Sequence, residues 1–260
     1  MESLRLTREV LVEGPDLFGR KSWIKFLPTE KTGWYWNCNG SGDVVPINAK
    51  IASYDSRRIV LKYKNYRLEI YEHIGAIKWT GLDGVVIESS TFPPYHGRVA
   101  DLWRCLKPFC SQACQEIHWM PAGQAIKAKD SRSDSWVSLE PAGRKQGLVA
   151  LVFVEMMNAS WTRIYRFPRT LDGFFNAFTP GWPPYLYRVS QLAGLFGWPH
   201  HVHINWPNGN GKTFVKNAVL HRVADILGGL SLAAHDGLPV GEFVSWKGGH
   251  KLDLEIIKQI

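Results

Sequence analysis

Apolar and polar residues alternate over positions 21–26, 58–63, 66–71 and 85–88. A period of two puts successive side chains on opposite faces of a strand, so these stretches predict one sheet in the first hundred residues. Residues 72–79 then take a more helical pattern, and 99–106 predict a second short helix that Pro108 stops. The texture changes over 109–116, where small and polar residues separate cysteines, and this piece is expected to be the crossing between two halves. Strands are predicted again at 124–127 and 136–139, and the continuous apolar run 148–154 predicts a buried one. Residues 167–207 interleave aromatics with Pro and Gly, as an irregular insertion would. Val219, Leu220, Val223, Ile226, Leu227 and Leu230 recur at intervals of three and four, predicting an amphipathic helix before a strand at 242–246.

The pattern repeats coarsely. Each half reads as strands followed by a helix that carries a histidine and then a Gly-Leu turn: Glu72-His73 with Gly81-Leu82, and Leu220-His221 with Gly237-Leu238. The expected fold is therefore α+β, with two similarly built sheet-plus-helix domains, residues 1–112 and 113–260, packed as a sandwich. An active site would lie in the cleft between them.

His221 and Asp225 stand four residues apart on the second helix, which aims both side chains at one point. Spacing alone also fits a solvated or mutually hydrogen-bonded pair. Gly228 and Gly229 follow on the same face, and each glycine costs a helix about 1 kcal/mol relative to alanine. Close approach of a ligand or a second backbone would offset that cost. With Glu72-His73 and Gly248-Gly249-His250, the chain carries the parts of a zinc hydrolase. Such a site takes three N or O ligands and keeps a position for water, beside a carboxylate base and a histidine acid.

Composition narrows the class. The 260 residues, 45% hydrophobic and 21% charged, describe a folded chain with enough length for a substantial core. No run reaches the length of a membrane span, and residues 1–9 mix both charge signs, unlike a secretory signal, so a cytoplasmic location is expected. Cys38, Cys105, Cys110 and Cys114 are too few for a disulfide framework, and the last three lack the paired Cys-x-x-Cys form of a zinc module. A net charge of +8 favours anionic partners without saying which; the basic residues are spread along the chain, which weakens a nucleic-acid reading and leaves a phosphate-bearing small molecule compatible. His200, His201 and His203 read as a surface cluster, residues 209–213 as a hairpin turn, and His96 and His118 as polar or surface histidines.

In the order and separation of its motifs the chain resembles the UDP-3-O-acyl-N-acetylglucosamine deacetylases, which commit bacteria to lipid A synthesis. The resemblance rests on Leu6 to Gly14, on Tyr71-Glu72-His73 with Thr80-Gly81-Leu82-Asp83, and above all on the C-terminal run. That run goes from His221-Arg222-Val223-Ala224-Asp225 through Pro239-x-Gly241 to Trp246-Lys247-Gly248-Gly249-His250-Lys251-Leu252. It implies that His73, His221 and Asp225 bind Zn2+, that Glu72 is the general base and that His250 is the general acid. It further implies Lys247 as a contact for nucleotide phosphates, Arg222 as a substrate-facing cation, and the aromatic stretch 167–207 as the passage for an acyl chain. The implied partner is an acylated, UDP-linked amino sugar; peripheral contact with membrane lipid is left open, and no nucleic acid is expected. A relative that keeps the metal and binds an acylated sugar or lipid without turnover is the alternative.

The departures are specific. Gly228-Gly229-Leu230 stands where the family has Gly-Asp-Leu, whose Asp holds the catalytic His; Asp236 or Asp253 are candidates to replace it. Arg163-Ile164-Tyr165 stands for Arg-Thr-Phe, Gly14-Pro15-Asp16-Leu17-Phe18 for Gly-x-Gly-Leu-His, and Tyr95-His96-Gly97-Arg98 for an Asp-Gly-Ser piece. Ligands and acid/base groups are kept while their surroundings differ, the expected sign of one chemistry on a changed substrate.

Overall fold

A computed structural model describes residues 2–16, 18, 20–55, 58–94, 99–141, 148–156, 159–167 and 211–260. The fold is mixed α+β, several sheets with few helices. Alternation builds the strands as expected: in Lys21–Pro28 the side chains of Ser22, Ile24 and Phe26 are buried and their neighbours are not. The stretches expected to share one sheet divide between two, with 58–63 and 66–68 in a three-stranded sheet and 21–28 and 85–89 in a five-stranded one. Its five strands run Val10–Pro15, Lys21–Pro28, Val85–Ser89, Trp34–Asn37, Val44–Pro46. A three-stranded meander follows in Ala52–Asp55, Arg58–Tyr63 and Tyr66–Leu68. The second half forms a six-stranded sheet around Gly237–Trp246, which pairs with Trp136–Glu140, Leu148–Met156 and His118–Pro121.

Several boundaries depart from the pattern. The strand expected to reach Tyr71 stops at Leu68, because Ile70 adopts φ 57, ψ 40 and turns the chain into a helix. The expected crossing at 109–116 is a strand, Cys110–Glu116, whose partner is the N-terminal strand Glu2–Leu6. Residues 211–213 are not part of a hairpin turn; they open a helix, Gly211–Leu230, which starts eight residues before the apolar spacing begins.

Helices α1 (Tyr71–Gly75), α2 (Val99–Leu106), α3 (Gly211–Leu230) and α4 (His250–Ile257) carry most of the candidate chemistry. Over 219–230 nearly every residue of α3 is buried, so it is a central helix buried on more than the one face that its amphipathic spacing predicts. The reason is that α3 has protein on both flanks: the strands 148–156 and 159–167 on one, α1 and the 3-10 turn Ala76–Thr80 on the other. Buried apolar residues from both halves of the chain form one contiguous core.

Glycine lets α1 and α3 meet. A Cβ at Gly228 would fall inside the Glu72 backbone, and one at Gly75 would lie 2.9 Å from the Gly228 carbonyl oxygen. The Trp79 indole N–H then donates to the Leu227 carbonyl at 2.7 Å, closing the contact from the side. Of the two returns anticipated for these glycines, Gly228 therefore serves the approach of a second backbone. Among the described residues, no helix is long and apolar enough to cross a membrane.

Candidate metal centre

The α1 to α3 crossing brings His73 beside His221 and Asp225. His73 Nε2 and His221 Nε2 each lie 3.7 Å from Asp225 Oδ1, and the two imidazoles meet edge to face with centroids 5.3 Å apart. These three are the one group of three or more His, Cys, Asp or Glu side chains, among the described residues, whose ligand atoms converge as a metal would require. The cysteines are all free and form no such group there. Tetrahedral ligands at about 2.1 Å from zinc stand roughly 3.4 Å apart, so the two His–Asp spacings are open by a few tenths of an ångström, and all three ligand atoms lie within 4.8 Å of one another. Asp225 Oδ1, the atom both imidazoles face, is buried and accepts no hydrogen bond within 3.5 Å among the described residues. A buried carboxylate oxygen left so is costly unless a cation completes it, and two nitrogens and one oxygen suit a divalent transition metal.

Glu72 and His250 complete the cluster. His250 Nε2 lies 3.6 Å from Asp225 Oδ2 and 3.9 Å from Glu72 Oε1, while Glu72 Oε2 accepts the Ile59 backbone N–H at 3.0 Å. Glu72 is thus pinned by one oxygen with the other turned to the site. The turns that deliver both residues are strained: Ile70 precedes the Glu72-His73 pair at φ 57, and Lys247 precedes Gly248-Gly249-His250 at φ 50. A β-branched residue rarely adopts positive φ, and such conformations persist where the surroundings impose them.

Electrostatics separate the roles. Burial pushes the Glu72 carboxyl above its ordinary range, with the charges of His250 and His73 opposing. Burial acts the same way on Asp225, but there His221, His250 and His73 outweigh it and hold the carboxylate well below its usual range. His221 is pushed down to about 4 by burial, with Asp225 opposing and nearby cations adding to the shift, so its lone pair is available at neutral pH. Burial also disfavours the His73 cation, yet Asp225 and Glu72 outweigh it and raise that group. One carboxylate is therefore suited to binding a cation and the other to moving a proton.

The remaining expected residues are placed differently. Arg222 lies next to His221 in sequence, but its guanidinium is buried in a two-pronged ion pair with Asp253 and also reaches the Ser245 hydroxyl. It is engaged inside the fold, and burial, which lowers its pKa, is outweighed by Asp253. Lys247 bonds Asp134 at 2.8 Å near the surface. Asp253 is taken by Arg222 and Asp236 sits 3.7 Å from His235, so neither appears as the support for His250, whose Nδ1 is buried with no hydrogen-bond partner among the described residues. At Gly229 a Cβ would meet Ile257 at 3.2 Å and Ile59 at 3.4 Å: apolar carbons occupy the surroundings of the missing aspartate. Ile164 is half exposed on its strand. His118 is exposed on its strand, as expected of a surface histidine. His96, the histidines of 200–203, residues 95–98 and the aromatic stretch after Phe167 lie outside the described residues.

Sequence reasoning missed the Ile59 N–H, the Asp253 partner of Arg222 and the role of Gly75. Of these only Gly75 carried a signal, a glycine two residues after a helical histidine. No protein-family profile matches the chain, and no curated protein matches it.

Proposed function

We propose that the protein is a zinc-dependent amidohydrolase that removes an N-acetyl group from an acylated amino sugar. The observation that carries this reading is the convergence of His73, His221 and Asp225, whose buried Oδ1 faces both imidazoles, beside Glu72 and His250. His73, His221 and Asp225 would hold the metal. Zinc, when bound, supplies a Lewis acid that polarises the amide carbonyl and makes water acidic near neutral pH. Glu72, raised by burial and held at one oxygen by Ile59, takes the proton from the attacking water. His250, whose Nε2 lies beside the Asp225 and Glu72 carboxylates, gives a proton to the departing amine as the C–N bond breaks.

The substrate class follows from the motif order that resembles the UDP-3-O-acyl-N-acetylglucosamine deacetylases. A UDP-linked acylated glucosamine, a place in lipid A synthesis, a cytoplasmic location and a pair of similarly built domains with the site between them all rest on that likeness. The departures at Gly229 and Ile164 favour a substrate that differs from the family's. Acetate release from N-acetylated, O-acylated glucosamine derivatives, with and without UDP, tests the reading. Zinc-dependent turnover lost in Glu72→Gln supports it, and turnover indifferent to that substitution contradicts it.

One observation favours a second reading, a metal-containing relative that binds such a ligand without turnover. His250 Nδ1 has no acceptor among the described residues, so the acid is held in place from one side. Any multiple-turnover acetate release removes this alternative.

A further inference from the structure

We propose that Lys78 is a positioning residue for the metal centre, clamping the end of α3 to the segment that carries His73; this rests on the metal reading above. Lys78 lies five residues beyond His73 on the continuous helical stretch formed by α1 and the 3-10 turn Ala76–Thr80. Its ammonium donates to the carbonyls of Ser231 at 3.3 Å, Ala234 at 2.6 Å and Gly237 at 2.9 Å. Three acceptors match the three N–H donors of an ammonium and leave it saturated. Ser231 directly follows α3, which holds His221 and Asp225.

One side chain therefore ties the element of the first ligand to the end of the element that carries the other two. A cation at a helix C-terminus is favourable, and these buried carbonyls would each cost free energy if left without a donor. Burial pushes Lys78 down to about 7 while Asp83 and Asp236 oppose it, and the three carbonyls further favour the charged form. The adjacent Trp79 grips the preceding turn through Leu227. With the glycine crossing fixing how close the helices lie, Lys78 and Trp79 fix how far one is slid along the other. That offset decides whether His73 reaches the point at which His221 and Asp225 converge.

Lys78 also lines a cavity of about 200 Å³ with Ser3, Thr32, Asp83, His118 and Asp236. This gives a small amine a route to the clamp. The test is zinc affinity by chelator competition, well below the unfolding temperature, in the wild type, Lys78→Met, Lys78→Ala and Ile24→Ala. The last removes a buried side chain of the five-stranded sheet and controls for lost stability. Lys78→Met is expected to bind zinc about ten- to a hundredfold more weakly, as loss of a residue supporting a ligand does, with Ile24→Ala unchanged. Propylamine, the part of the side chain that Lys78→Ala lacks, should restore binding, and propanol should not.

Unaltered affinity in Lys78→Met, an equal loss in Ile24→Ala, or an amine no better than propanol would each overturn the proposal. Hydrogen exchange of the zinc-free protein reads the clamp separately: amides at the end of α3 and at 72–75 should exchange faster in Lys78→Met, and unchanged exchange would also overturn it. Should the wild type take up no zinc, the proposed function fails while exchange still decides the clamp.

Discussion

The two histidine-bearing turns make an instructive pair. Each follows a non-glycine residue held at positive φ, Ile70 before Glu72-His73 and Lys247 before His250. The first turn is gripped from every side: Ile59 holds Glu72, Gly228 packs directly on the Glu72 backbone, and Trp79 bonds α3. The second combines close packing of Gly248 against Val137 and Ser245 with an ion pair near the surface. Lys247 reaches Asp134, and the inner nitrogen of His250 has no partner among the described residues. His250 itself is exposed to about the same extent as His73 and His221, so the two turns differ in what holds their backbones and not in the burial of the histidines they deliver.

The largest effect expected on this contrast is on turnover. Glu72→Gln keeps shape and the possibility of a bond from Ile59 but loses the proton acceptor, so rate should fall by about 10²- to 10⁴-fold with zinc content unchanged. Steady-state kinetics beside elemental analysis checks it; zinc lost along with rate would make Glu72 part of the metal site instead. Gly228→Ala probes the crossing itself. A Cβ there must displace the Glu72 backbone, at a cost of about 3 kcal/mol or more in stability, with zinc affinity falling too. A denaturation midpoint close to that of the wild type would show that the helices are not in backbone contact.

A smaller effect is expected from pH. His221 is held near 4 in the folded protein against about 6.5 in an unfolded chain, so above 6.5 it is neutral in both states. As pH falls from 6.5 toward 4 the unfolded chain gains the proton first, and stability is lost, by about 2 kcal/mol once the ring's partial exposure is allowed for. Because Glu72, raised by burial, contributes with the opposite sign over part of this range, the slope is read as the difference between the wild type and His221→Gln in urea denaturation of the zinc-free protein. The smallest effect belongs to Lys247→Ala, where loss of an ion pair near the surface should change stability by less than about 1 kcal/mol. A large rise in KM with kcat unchanged would then mark Lys247 as a substrate contact.

Much of this arrangement is legible in the residues. The alternation of Ser22, Ile24 and Phe26, the helix 99–106 and the i, i+4 placement of His221 and Asp225 are local patterns, and local patterns survive folding. The α+β class and the gathering of His73, His221, Asp225, Glu72 and His250 followed from such patterns and from motif order. What escaped is long-range. The pairing of Glu2–Leu6 with Cys110–Glu116, the Ile59 N–H on Glu72 and the burial of Arg222 against Asp253 join residues whose spacing carries no period. Arg222 shows the difficulty best: in sequence a cation beside a metal ligand suggests an anionic substrate, yet on α3 it projects to another side of the helix from His221 and finds a buried carboxylate.

The central claim is that His73, His221 and Asp225 form a metal site. The most direct test is the zinc content of the purified protein, measured beside His221→Ala and Asp225→Ala. Near-stoichiometric zinc in the wild type that both substitutions abolish is the predicted result. No zinc in the wild type, or zinc that survives both substitutions, would contradict the account.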